Sequence, residues 1–108
     1  MHRDHVPAVP APFVRLGSTA IAANQGMVLY SESSRASSER KPTDVHIITL
    51  QGHPEFNESI SEHVITARAG TGIIPADLAE DARRRNKELA NDGVKIGRVF
   101  WDILGVTA

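Results

Sequence analysis

Val45-His46-Ile47-Ile48-Thr49-Leu50, followed without a break by Gln51-Gly52-His53-Pro54-Glu55, is the stretch on which the fold turns. Its first six residues are nearly all apolar or β-branched, which suits a strand covered on both faces. Asn57 then caps an expected helix with Ile60, Val64 and Ala67 at 3.6-residue spacing, and Glu58 sits at its positive end. A buried strand running straight into a helix argues for an α/β fold, in which ligands collect at the carboxyl ends of strands. At that end stand His53 and Glu55. Proline at 54 pushes His53 towards extended backbone, and in an extended segment residues i and i+2 project to one side. Gly52 lets the chain bend ahead of them. A carboxylate beside an imidazole fixes its tautomer and stabilises its protonated form, so the pair would make an oriented base.

Working upstream, Ser31, Ser33, Ser34, Ser37 and Ser38 are interspersed with Glu32, Arg35, Glu39, Arg40 and Lys41. Residues 31–43 therefore read as a solvated loop with little to bury. A phosphorylation switch or an arginine-serine tail is the less favoured alternative. Before it, Met27-Val28-Leu29-Tyr30 and the looser run Phe13 to Ile21 flank Asn24-Gln25-Gly26, the pattern of an antiparallel hairpin. Pro7, Pro10 and Pro12 mark an extended loop without ladder donors.

Downstream, Gly70 and Gly72 end the first helix, and Pro75 opens a second with Asp77 in its first turn. Leu78, Ala82 and Leu89 are its expected inner stripe; Arg83, Arg84, Arg85 and Lys87 fall mostly on the solvated side. Asn91-Asp92-Gly93 terminates it. A third helix carries Ile96, Phe100 and Leu104, with Phe100 and Trp101 as expected core anchors. His46 reads as a packed core or strand-face histidine and His63 as solvent-facing. The whole is an α/β chain of short strands followed by three helices.

Composition removes several function classes. Twelve basic against thirteen acidic side chains in 108 residues leave a net charge of -1, without the footprint of a nucleic-acid binder or of an anionic-membrane binder. No apolar run approaches the ~20 residues of a membrane span. The start lacks the apolar core of a secretory signal, so a cytoplasmic location is expected. Cysteine is absent, which excludes disulfides, thiolate metal sites and a cysteine nucleophile from this chain.

Gln51-Gly52-His53-Pro54-Glu55-Phe56 resembles the His-Glu signature of class I glutamine amidotransferases. His2-Arg3-Asp4-His5-Val6 is similar to the His-x-Asp-x-Val segment that these proteins carry upstream of it. Leu16-Gly17-Ser18 and Asn24-Gln25-Gly26-Met27 fall where the family has its intervening hairpin. The tail from Asp92-Gly93-Val94 to Trp101 is similar to fungal and plant members with a Gln-Gly-His-Pro-Glu motif, a subgroup that includes γ-glutamyl peptidases. Nearly the whole chain fits, but only onto the family's C-terminal half.

The resemblance implies part of a flavodoxin-like domain, here residues 1-108, and a Cys-His-Glu triad. His53 would be the base and Glu55 its orienting partner, with His2, Arg3 and Asp4 as substrate neighbours. The ligand would be glutamine or another γ-glutamyl compound, with no cofactor and no metal. The family's cysteine sits at a nucleophile elbow that precedes residue 1 in its order. The chain is thus expected to be inactive alone and to need a Cys-bearing half; a truncated gene product is one reading of this. Ser18 and Ser61 do not replace the cysteine, since neither lies in a Gly-x-Ser-x-Gly elbow. Cutting the family's sheet would leave Val45–Leu50 in need of cover, so the isolated chain is expected to aggregate or to require a partner. The alternative is a degenerate, non-catalytic domain that binds or regulates.

Other motifs fall short. His2-Arg3-Asp4 matches the kinase catalytic triplet, but Val9 stands where that loop needs asparagine. His-x-Glu also begins the zinc deaminase signature, whose other half requires cysteine. His2, Asp4, His5, His53 and Glu55 could suit a hard or borderline cation, but no helical His-x-x-x-His pair fixes a geometry.

Overall fold

The structure, a computed structural model, describes residues 4–106. Strands β1 (Val14–Gly17), β2 (Gly26–Tyr30) and β3 (Val45–Leu50) precede helices α1 (Glu58–Gly70), α2 (Ala76–Glu88) and α3 (Gly93–Ile103). This is an α/β chain with a three-stranded antiparallel sheet in the order β1-β2-β3. The residues form two compact units, one running up to His53 and resuming at Gly97, the other spanning Pro54–Ile96. Among the described residues, no helix is long and apolar enough to cross a membrane.

In the first unit the expected hairpin forms. Val28 pairs with Val14 on one side and with Ile48 on the other. Consecutive Val28 and Leu29 are both buried, and consecutive strand residues face opposite ways, so both faces of the sheet are covered at β2. The turn before β2 is set by Asn24, itself buried, whose Oδ1 accepts the Gly26 N–H at 3.2 Å. Gly26 is required by space: a Cβ there would lie 2.8 Å from the Thr49 carbonyl oxygen.

The strand expected to be buried is not. In β3, His46, Ile47 and Thr49 are exposed and the other three residues are half-buried. The reason is place rather than composition. Among the described residues β3 pairs only with β2, whereas β2 has a strand on each side. His46 is therefore a surface residue.

Residues 31–44 are exposed or half-buried, as expected of a solvated loop, yet locally ordered. Two short 3-10 turns, Glu32–Ser34 and Pro42–Asp44, bracket it. The Ser31 N–H donates to the Asp44 carbonyl at 2.8 Å, and the Lys41 N–H donates to the Asp44 carboxylate at 2.8 Å. That backbone donor, helped by Ser34 and Lys41, holds the Asp44 carboxyl below its usual range. Side-chain-to-backbone bonds order the loop where burial does not.

In the second unit, the Asn57 Oδ1 accepts the Ile60 N–H at 2.9 Å and caps α1 as expected. Gly72, at φ 71°, closes it in a Schellman arrangement, with Ile73 N–H on the Arg68 carbonyl and Gly72 N–H on that of Ala69. Pro75 is the residue just before α2 rather than its first helical position.

The inner stripes differ from expectation. Ile65 and Ala79 are buried, while Leu78 and Leu89 are more than half exposed and Ile60 is 41% exposed. Arg83, whose side chain is 37% exposed, also reaches across to α1. Its Nε donates to Glu62 at 2.9 Å and its Nη2 to the Thr66 hydroxyl at 3.2 Å. Asn86 donates to the Glu58 carbonyl at 2.9 Å, so α1 and α2 run antiparallel and are cross-linked by polar groups. The Arg83 guanidinium holds the Glu62 carboxyl below its usual range. Arg84 and Arg85 face solvent, paired to Asp81 and Glu88 within α2, and they lower Asp81 likewise. His63 is exposed as expected.

In α3 Phe100 is half-buried, whereas Trp101 is 56% exposed. Successive helix residues lie about 100° apart, so the two cannot anchor one face.

Candidate functional site

The signature lies where the sequence places it, directly after β3. The Gln51 N–H extends the ladder by donating to the Gln25 carbonyl at 3.0 Å, and the backbone then leaves the sheet at Gly52. His53 adopts φ 52°, the single non-glycine residue with positive φ among those described. Extended backbone at His53, expected from the following proline, is therefore corrected. Proline disfavours the right-handed helical region for the preceding residue, and here His53 takes the left-handed region instead. Histidine is among the residue types that enter it more readily than most. The conformation still costs on the order of 1 kcal/mol, and such residues concentrate at functional sites.

His53 and Glu55 are both exposed, with Pro54 half-buried between them. The boundary between the two compact units falls between His53 and Pro54. Because Pro54 and Glu55 form a turn, the extended-chain argument for i and i+2 alignment does not apply.

On the Glu55 side the turn is held from a distance. The Asn91 side-chain amide donates to the Phe56 carbonyl, and its Oδ1 accepts the Gly93 N–H at 2.7 Å. A Cβ on Gly93 would run into the Pro54 carbonyl oxygen. Asn91-Asp92-Gly93, read from sequence as a helix terminator and, from Asp92, as the start of the family-like tail, is thus a clamp on Pro54-Glu55-Phe56. An asparagine and a glycine two residues apart signalled a turn. Nothing in the sequence pointed to its partner more than thirty residues earlier.

On the His53 side, a small cavity of about 110 Å³ opens in the first unit, lined by Val6, Asn24, Gly26, Met27, Thr49, Leu50 and Gln51. Gln51 is the one signature residue lining it. A shallower cleft of about 490 Å³ lies between Pro7–Val9, Phe13–Arg15, Ala23 and Asn24. Asp4 is exposed, and the other two expected substrate neighbours, His2 and Arg3, lie outside the described residues. Among the described residues, no three His, Asp or Glu side chains gather as a metal-binding group.

No protein-family model, curated protein or solved structure matches the chain.

Proposed function

We propose that the chain supplies the His-Glu part of a Cys-His-Glu triad in a class I glutamine amidotransferase-like hydrolase, within a domain of flavodoxin-like topology. The observation that carries this reading is His53: exposed, in a strained left-handed conformation, at the point where a strand ends and the chain turns into Pro54-Glu55. Strain is retained where the surroundings enforce it, and an oriented base is one use of such enforcement.

In this reading His53 removes the proton from a cysteine thiol supplied by a Cys-bearing half. The thiolate attacks the γ-carbonyl of glutamine or of a γ-glutamyl peptide. Backbone N–H groups at the cysteine's elbow stabilise the oxyanion. His53 then protonates the departing ammonia or amine, leaving a γ-glutamyl thioester that water hydrolyses. Glu55 fixes the tautomer of His53 and stabilises its imidazolium. Asn91 and Gly93 hold the turn that presents Glu55.

Having no cysteine, the chain alone releases no ammonia from glutamine. The test is to join it to a Cys-bearing half of the family, ending where His2-Arg3-Asp4 begins, and to follow ammonia release from glutamine and amine release from γ-glutamyl peptides. Activity that depends on both the added cysteine and this chain supports the proposal. A folded, soluble fusion with neither activity overturns it and leaves the non-catalytic reading.

A further inference from the structure

Tyr30, the last residue of β2, is held by two arginines from the serine-rich loop. Arg35 Nε donates to the Tyr30 carbonyl at 3.1 Å, and the Arg40 guanidinium lies over the Tyr30 ring, 4.5 Å from its centroid. Arg40 Nη2 also donates to the Arg35 carbonyl at 2.8 Å, linking the two. The serines between them are not equivalent. The Ser37 hydroxyl is engaged, donating to the Glu39 carbonyl at 2.8 Å and accepting the Glu39 N–H at 3.1 Å. Ser38 is exposed and stands outside that pair. Arg35 precedes it by three residues; Arg40 and Lys41 follow it by two and three.

We propose that Ser38 is a phosphorylation site whose phosphate draws Arg40 off the Tyr30 ring, switching the 31–44 loop between a clamped and a released state. Protein kinases choose substrates by charge pattern, and an arginine three residues before an exposed serine is a pattern that an acidic kinase cleft selects. In the reaction the Ser38 oxygen attacks the γ-phosphorus of ATP. The new O–P bond forms as the bond to ADP breaks, and the hydroxyl proton leaves to the kinase's base.

The phosphate brings close to two negative charges and three strong acceptors into a segment whose arginines are exposed or half-buried. A charge-assisted bond from guanidinium to phosphate is stronger than an exposed cation–π contact. Arg40 therefore exchanges the ring for the phosphate. The proposal is independent of the function assigned to His53.

The full chain is incubated with ATP and a calmodulin-dependent protein kinase that selects arginine at the third position before its acceptor. Phosphate is located by mass spectrometry, and the Tyr30 ring is followed by NMR. The expected result is one phosphate on Ser38, incorporation reduced at least tenfold in Arg35→Gln and absent in Ser38→Ala. The phosphorylated protein should also show a Tyr30 ring shift that matches the shift in Arg40→Gln. No incorporation, phosphate on Ser37 or another serine, or an unmoved Tyr30 signal would each overturn the proposal.

Discussion

The two compact units are held together by different chemistry. The sheet unit rests on apolar burial, with Ala22, Val28 and Leu29 inside and β2 flanked by strands on both edges. The helical unit buries little beyond Ile65 and Ala79 and relies on named polar links: Arg83 to Glu62 and Thr66, Asn86 to Glu58, Asn91 to Phe56. Hydrophobic burial is non-directional, whereas hydrogen bonds and ion pairs fix geometry, and the ion pairs also depend on pH. The first unit should therefore fail by cavity formation, and the second by loss of individual contacts.

The largest effect separates strands within the first unit. Val28→Ala should cost about 2–3 kcal/mol by chemical denaturation, through lost transfer energy plus a cavity at the centre of the sheet. Ile47→Ala on β3, where the side chain is 40% exposed, should cost under about 1 kcal/mol. Equal losses would show that β2 is not the core strand.

Next comes the clamp. Gly93→Ala should destabilise the Pro54–Ile96 unit by about 1–3 kcal/mol, because a methyl group collides with the backbone carbonyl of Pro54. Asn91→Ala should cost about 1 kcal/mol through loss of its bonds to Phe56 and Gly93. Hydrogen exchange should show faster opening around Phe56 in both variants. Protection unchanged there would remove the clamp from the account.

The smallest effect is the acid sensitivity of the helices. Arg83 lowers the folded-state pKa of Glu62, so its contribution is present above the ordinary glutamate value near 4.3. It is lost as pH falls through the lowered one. Helix protection in α1 and α2 should therefore fall below about pH 4, and Arg83→Gln should flatten that dependence while leaving the sheet unit's profile unchanged. Asp81, lowered by Arg84 and Arg85, supplies the residual slope. An identical profile in Arg83→Gln would contradict the assignment.

Much of the fold was legible because its signals are local. The Asn57 cap, the glycine that closes α1, the Asn24-Gln25-Gly26 turn and the hairpin each depend on residues a few positions apart. What escaped depends on partners distant in sequence. The apolar run 45–50 states that β3 is a strand but not whether strands lie on both sides of it. Arg83 looked solvated because its partner Glu62 lies 21 residues away on another helix. At the signature, residue types were readable and backbone was not. The proline rule excludes one conformation for His53 without choosing between extended and left-handed, and the Gly93–Pro54 approach leaves no trace in either segment.

The central claim is that His53 acts as a base oriented by Glu55. It is tested most directly in the fusion with a Cys-bearing half, by ammonia release from glutamine in wild type, His53→Ala and Glu55→Gln. Activity should disappear in His53→Ala and fall by a smaller factor in Glu55→Gln, with thermal unfolding unchanged. Undiminished ammonia release in His53→Ala would contradict the account.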